Sequence, residues 1–452
     1  MNKDMTVGNP VRLIMLFFIP TLMGNVVLQL YTVADSIIVG NLVGVEALAA
    51  VGATASLNTL IIGFVNGIST GFAIPVAQAF GSGDMKQVRQ RIMNAIYLTA
   101  MISFAVTLLS TSLVGWALRV MRTPDNIIFQ SHTYIVTIFC GVGATMFYNL
   151  LLNISRALGN TRTPFCFLLM AYVGNIVLDL LFVGPLQWGV RGAAIAFVLS
   201  QAGAAIGCFV YMYTKFPELH PRGEELAFDS GVMKLLLRMG MPIAIQIFIT
   251  AIGQVFVQAA INLLGALAVA AVTIATKIQG LLVQPIDSMG ITMTNYCGQN
   301  SGAGKPDRIR SGVLKSIIIT VTFCVIVGLC APVIGRYASV LFSDNRDPEL
   351  LNLICRYLRV NGAFYFCLGI LVIIRGSVQG MGYAPHAMIC GLCELAARTA
   401  IAFYFVHHFG FWAICFSEVF AWICANVFVI PFYRNVLGKS TQEAGCPELI
   451  RS

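Results

Sequence analysis

An all-α integral membrane protein of twelve transmembrane helices, arranged as two pseudo-symmetric six-helix bundles, is the fold class this sequence predicts. Three observations predict it: a shortage of charge, a succession of apolar stretches long enough to cross a bilayer, and a second half that echoes the first. Only 10% of the 452 residues are charged and 58% are hydrophobic, where an ordinary soluble protein carries about 25% charged residues. So few charges cannot clothe a body of this size in a water-facing surface, so lipid is the main solvent. No polar stretch is long enough for a soluble catalytic domain.

Crossing the hydrocarbon takes about 20 apolar residues. Spans of that order are read at 11–38, 48–77, 90–117, 130–155, 164–185, 191–214, 232–262, 268–297, 311–337, 350–376, 384–406 and 411–433. Breaks rich in Gly, Pro or charge separate them, such as "GSGDMKQVRQR" (81–91), "GNTRTP" (159–164) and "SGAGKPDRIR" (301–310). The apolar part of the first span is too long for a signal-peptide core, so it is expected to stay as an uncleaved helix.

Basic residues set the orientation. With both termini inside, nineteen Lys and Arg fall on the cytoplasmic side, from Lys3 and Arg12 to Arg434 and Arg451. Only Arg119, Arg122, Arg191, Arg336 and Arg346 fall outside. The positive-inside rule therefore predicts cytoplasmic termini in a cell (inner) membrane. The net charge of +9 reports this orientation and not nucleic-acid binding. The cysteines fall almost wholly in spans, where they act as small hydrophobes, and "CGLC" (390–393) is read as packing.

The second half repeats the first at an offset of about 221 residues: Gln78 matches Gln299, Gly81 Gly302, Gly83 Gly304, Arg89 Arg310, Gly159 Gly380 and Pro164 Pro385, while Pro20 meets Pro242 after a one-residue slip. The longest polar connector, "KFPELHPRGEELAFDSG", falls at the join. The expected organisation is a lobe at 1–214, a cytoplasmic connector at 215–231, a second lobe at 232–433 and a tail at 434–452. Six spans is an even number, so both halves enter the membrane in the same direction, and such parallel repeats place a substrate site at their interface. That is the plan of a transporter. A membrane enzyme would need clustered His, Asp or Cys near an interface, and the five histidines form no such group.

Within the spans, acids are the anomaly. "LYTVADSIIVG" (30–40) sets Asp35 in an apolar run, and "GNIVLD" sets Asn175 and Asp179 at i and i+4 on one helical face. Protonating a carboxyl at neutral pH costs roughly 4 kcal/mol, less than burying a bare anion. Such an acid is therefore either paired with a cation or carries a proton, and intramembrane acids are functional by default. Asp35 lies ~35 Å of helix after Arg12 and Asp179 ~22 Å after Pro164, depths compatible with contact. Their counterparts in the second half are Phe256 or Val257 and Ala400, so the scaffold does not require acids there. A rival site is Glu394 with Arg398, joined by Glu418 in the twelfth span, but the i,i+4 order of the first two suits a neutralised intrahelical ion pair. Lys277 and Asp287 share a span ten residues apart, too far for a direct bond, and Lys277 is open to substrate or to an acid on another helix.

Two six-helix halves, "IPTLMGNVVLQLYTVADSIIVGNLVGVEALAAVG", "RALGNTRTP" and "NIVLDLLFV" together resemble the multidrug and toxic compound extrusion (MATE) family over about residues 10–435, most closely its DinF-like branch. The resemblance implies a V-shaped antiporter that rocks two lobes, expelling organic, often cationic compounds as protons or sodium ions enter. It implies an ion site at Asp35, Asp179 and Asn175, a bend of the first helix at Pro20, and a weaker place for Tyr134. NorM-like relatives hold sodium with acids on the seventh and tenth spans, and those spans have none here. Polar positions on the spans expected to line the cleft are Gln29, Tyr31, Asn58, Asn66, Gln246, Gln254 and Gln258, each equally suited to an interhelical hydrogen bond. The expected function is proton-coupled multidrug efflux by a bacterial monomer without cofactors. Sodium coupling and a lipid-linked oligosaccharide flippase are the alternatives.

Overall fold

The computed structural model describes residues 4–121, 123–338 and 348–445, and every regular element among them is helical. Lys3, Arg122, Arg346 and Arg451 of the basic-residue reading lie outside the described residues. The helices are α1 (Pro10–Leu42), α2 (Val45–Gly81), α3 (Met85–Val120), α4 (Asp125–Cys140), α5 (Val142–Ala157), α6 (Arg162–Val183), α7 (Gly189–Lys215), α8 (Ser230–Asn262), α9 (Ala266–Leu282), α10 (Gln284–Gly302), α11 (Pro306–Ala338), α12 (Pro348–Ala363), α13 (Tyr365–Gly380), α14 (Ala384–Ala400), α15 (Val406–Phe409) and α16 (Phe411–Gly445). A π-turn, Ile401–Phe405, joins α14 to α15.

Among the described residues nine helices are long and apolar enough to cross a membrane, and up to twelve spans result if each bent pair is one crossing. The fourth, eighth and tenth expected spans are these pairs: α4–α5 bends by 47°, α9–α10 by 46° and α12–α13 by 50°. A close approach or a proline stands beside each bend. At Gly141 an added Cβ would come within 2.7 Å of Val198 Cγ1, so a side chain of α7 fills the notch between α4 and α5. Gly362, 221 residues later beside the α12–α13 break, would meet the Gly328 carbonyl oxygen at 2.8 Å. Between α9 and α10 the chain turns at Val283, and Pro285 occupies the first turn of α10, where its missing N–H costs no helical bond.

One match of the repeat is corrected. Gly159 was paired with Gly380, but the left-handed residue that ends α13 is Gly382, at φ +95°, equivalent to Gly159 at φ +79° after α5. The helix-ending conformation is the one L side chains avoid, and it identifies the register better than letter identity.

The chain condenses into two compact units, one of Met1–Asp4 with Met23–Ala244 and the other of Met5–Leu22 with Ile245–Ser452. Both divisions fall inside helices: α1 passes from the second unit to the first at Leu22/Met23, and α8 from the first to the second at Ala244/Ile245. In the first unit Val65, Ile68 and Phe72 of α2 are buried in the same cluster as Leu236 and Ala244 of α8. In the second, Ile14 and Phe17 of α1 are buried in the cluster that holds Tyr296, Tyr365 and Trp422. Cys390 of the "CGLC" stretch belongs to that cluster too.

The connector ahead of α8 is fastened by charge. Arg89 grips Glu225 with two bonds of 2.6 Å, and the Arg222 amide donates to the same carboxylate at 2.8 Å. The Arg89 guanidinium holds the Glu225 carboxyl down to about 2, from an ordinary 4.5. A depressed acid stabilises the fold above its unfolded value, and the effect is lost as pH falls through the folded one. Amide protection of the connector should therefore be constant above pH 4.5 and fall between there and about 2, a step that Glu225→Gln removes; hydrogen exchange by mass spectrometry reads it.

Candidate functional site

The acids singled out in the sequence are brought together in the first unit. Along α6 the buried positions are Pro164, Leu168, Ala171, Tyr172, Asn175, Asp179 and Val183, one stripe at the three-to-four spacing of a helix face. Three of its last four members are polar, so this stripe faces a site as well as a core. Asp179 is 0% and Asn175 1% exposed, and Asp35 on α1 is half-buried. The Asp35 and Asp179 carboxyl groups are within side-chain hydrogen-bonding reach of each other. Yet both oxygens of Asp179 lack a hydrogen-bond partner, and so do both polar atoms of the Asn175 amide. Asn175 and Asp179 thus share a face as expected without bonding to each other. Two ionised carboxylates are acceptors only; a donor must come from outside the pair.

Aromatic rings close around the acids. Tyr31, one turn before Asp35, stacks on Tyr172 with centroids 4.5 Å apart and planes 7° from parallel. Tyr31 and Tyr134 each lie within electrostatic range of both Asp35 and Asp179. Tyr134 is half-buried on α4. Tyr172 went unnoticed in the sequence, although its i, i+3, i+7 spacing to Asn175 and Asp179 was there to find.

Pro20 sits inside α1, which continues through it. The neighbouring Thr21 hydroxyl donates to the Phe17 carbonyl at 2.9 Å, a local bond of the kind that bends helices. Of the other polar positions, Asn58 and Asn66 each carry a buried side-chain oxygen without a partner, and Gln29 is half-buried. Gln246 accepts a bond of 3.1 Å from Gln379, joining α8 to α13. Gln254 and Gln258 are exposed, and Gln258 donates to Asn262 at 3.0 Å.

In the second unit the expected Glu394–Arg398 pair is the middle of a longer chain of charge. Arg375 Nη1 donates to Glu394 at 3.0 Å, Arg398 Nη1 to the other Glu394 oxygen at 3.2 Å, and Arg398 Nη2 and Nε to Glu418 at 2.8 and 3.2 Å. Two cations and two anions from α13, α14 and α16 cancel, with Arg398 and Glu394 both buried. Lys277 is exposed on α9, and Asp287 is exposed on α10, with Arg375 in electrostatic range. The bend at Val283 puts the two on different helices, so helical rise does not fix their separation. Among the described residues no three His, Cys, Asp or Glu are grouped to hold a metal ion.

The MatE family model matches this chain twice, over residues 20–181 and 242–404. The chain is 26% identical over 395 residues to the probable multidrug resistance protein YpnP of Bacillus subtilis (strain 168), with 86% of each chain covered. It is 24% identical over 408 residues to the probable multidrug resistance protein YoeA of the same organism, covering 88% of this chain and 87% of the relative. A crystal structure of MATE in complex with MaL6 is similar at a TM-score of 0.91 and 22% identity, covering 97% of this chain and 99% of that one.

Removing one member of a buried ion pair strands its partner, at a cost of about 3–5 kcal/mol. Arg398→Met leaves Glu418 with no cation and Glu394 with one, and should lower the thermal midpoint of the detergent-solubilised protein accordingly. An unchanged midpoint would show that the quartet is not what neutralises these acids.

Proposed function

The chain belongs to the MatE family of multi-pass membrane transporters, and from that premise we propose that it is a proton-coupled antiporter that exports organic cations by alternating access. The observation that carries this reading is a contrast between the units. Glu394 and Glu418 are neutralised by arginines. Asp35 and Asp179 take part in none of the ion pairs among the described residues. Acids buried without a fixed cation need a mobile one, and a single shared proton fits the pair best. It turns one carboxyl into a donor and the other into its acceptor, the bond that neither anion can make alone.

The cycle follows from that sharing. A protonated pair is neutral and tolerates a closed, dry surrounding; an ionised pair needs water or a cation. An organic cation beside the stacked Tyr31 and Tyr172 rings supplies such a charge, and aromatic faces attract cations by up to about 2 kcal/mol when desolvated. Proton and substrate thus compete for one unit of negative charge, which is what exchange requires. Pro20 supplies the bend of α1 between states, with both termini and the connector on the cytoplasmic side of a V-shaped, DinF-like monomer. Sodium is a second reading, favoured by the unpartnered oxygens of Asn175 and Asp179, because hard cations take oxygen ligands.

Dye efflux from reconstituted vesicles under separately imposed proton and sodium gradients tests this. Proton-driven efflux should fall to the level of protein-free vesicles in Asp35→Asn and in Asp179→Asn, with the folded protein recovered in both. Full proton-driven efflux by Asp35→Asn rejects the assignment, and efflux driven by sodium alone transfers it to the second reading.

A further inference from the structure

α1 and α8 each divide between the two compact units two residues past a proline, Pro20 or Pro242. The end that leads into each helix is gripped by side-chain donors. Ahead of α1, the Met5 amide donates to Gln299 Oε1 at 2.8 Å, and its carbonyl accepts from Asn300 at 3.3 Å and Arg308 at 3.2 Å. Lys305 holds the Thr6 carbonyl at 3.0 Å, and Arg308 also holds that of Gly8 at 2.9 Å. All of this lies within the second unit. Ahead of α8 the first unit does the same: Arg89 holds the Glu218 carbonyl at 3.1 Å, Tyr97 that of Leu226 at 3.0 Å and Asn94 that of Ala227 at 3.4 Å.

The repeat offset of 221 carries Met5–Gly8 onto Leu226–Asp229, and the gripping side chains stand in or next to the matched "GSGDMKQVR" (81–89) and "SGAGKPDRIR" (301–310) stretches: Arg89, Asn94 and Tyr97 at one, Gln299, Asn300, Lys305 and Arg308 at the other. Two equivalent segments are therefore held at the backbone from two equivalent regions, although the gripping side chains are not themselves matched: Arg89 pairs in the repeat with Arg310, and the Glu218 carbonyl it holds lies ahead of the matched segment. Each grip lies in the compact unit that the helix subsequently leaves. Met5 and Thr6 are 1% and 5% exposed, and Gln299, Asn300 and Asn94 are fully buried. Opening either grip would leave buried polar atoms without partners, a loss that exceeds the gain from making such bonds.

We propose that the two grips are permanent anchors, with Arg308 and Arg89 as positioning residues that fix the leading ends of α1 and α8 throughout the cycle. A helix with a loose end relieves a bend at its proline by swinging that end. A helix with a fixed end must deliver the bend to its other half, and in α1 that half carries Asp35. The inference rests on the antiporter reading above.

The test uses the full chain in vesicles. Arg308→Ala should speed amide exchange of residues 5–22 and slow proton-driven dye efflux about tenfold, within the usual range of coupling between distant sites. The pH midpoint of the remaining efflux should stay at the wild-type value, because the acids are untouched, and Arg308→Lys should recover part of the rate. Cysteines at Thr6 and Lys305, bridged by a bifunctional thiol reagent with the other reactive cysteines replaced, should transport at the unbridged rate and should rescue Arg308→Ala. Loss of efflux on bridging, relative to the same double-cysteine protein unbridged and with Arg308 intact, overturns the proposal, because the grip would then have to open. Full efflux by Arg308→Ala with fast exchange at residues 5–22 overturns it as well. Absence of ion-driven efflux in the wild type strikes the antiporter reading instead, while the exchange comparison still judges the grip.

Discussion

Hydrocarbon gives a charge nothing to bond to, and the two halves of this chain answer that constraint in opposite ways. The second unit answers it internally. Arg375, Glu394, Arg398 and Glu418 alternate in sign across three helices, so the group is neutral and each carboxylate meets a guanidinium. The first unit leaves the answer open. At Asp35 and Asp179 acids face each other in a setting of tyrosines and an amide, where neither can pair until something mobile arrives. A fold built from one repeated plan thus carries a neutral quartet in its second unit and, in its first, the pair of acids at which a mobile ion is proposed to bind.

The same constraint shapes the backbone. A proline inside a helix removes a hydrogen bond, at a cost of about 3 kcal/mol in a helix interior, and in lipid the freed carbonyl has no water to turn to. Pro20 and Pro242 nevertheless stand in mid-helix, each two residues short of the place where its helix leaves one compact unit for the other. On the reading proposed above, weakening a helix at that point is what lets α1 bend there. Stiff, well-packed stretches lie to either side: Ile14 and Phe17 before the break in α1, and Leu236 and Met239 before the one in α8, are all buried.

Much of this was legible in the letters. Composition and run length gave the helical membrane class and the places of the crossings, and the repeat and the lone acids pointed to the half where the ion site is proposed. What escaped has physical reasons. In lipid an apolar run carries no period that marks a bend, so the kinks beside Gly141, Val283 and Phe364 could not be told from straight helix; they depend on side chains such as Val198 arriving from elsewhere. Arg375 and Glu418 lie 19 and 24 positions from Glu394 on other helices, beyond any local spacing rule, so only the i,i+4 pair could be joined from the letters, and Glu418 stood there without its partner. The slip from Gly380 to Gly382 arose because letter matching cannot see φ. The grips on Met5 and Leu226 were hidden for a similar reason, since they hold main-chain carbonyls, which every residue has.

The central claim is that Asp35 and Asp179 hold one proton between them, and infrared difference spectroscopy of the reconstituted protein tests it most directly. Acidification from neutral pH with isotope exchange would be compared in wild type and Asp179→Asn. A shared proton predicts a carbonyl-stretch signal of a buried protonated carboxyl in the wild type, altered by an added organic cation and abolished in the variant. A wild-type spectrum with no such signal, unchanged by the variant and by the cation, would mean that both acids keep one charge state throughout, and the exchange mechanism built on them would fall.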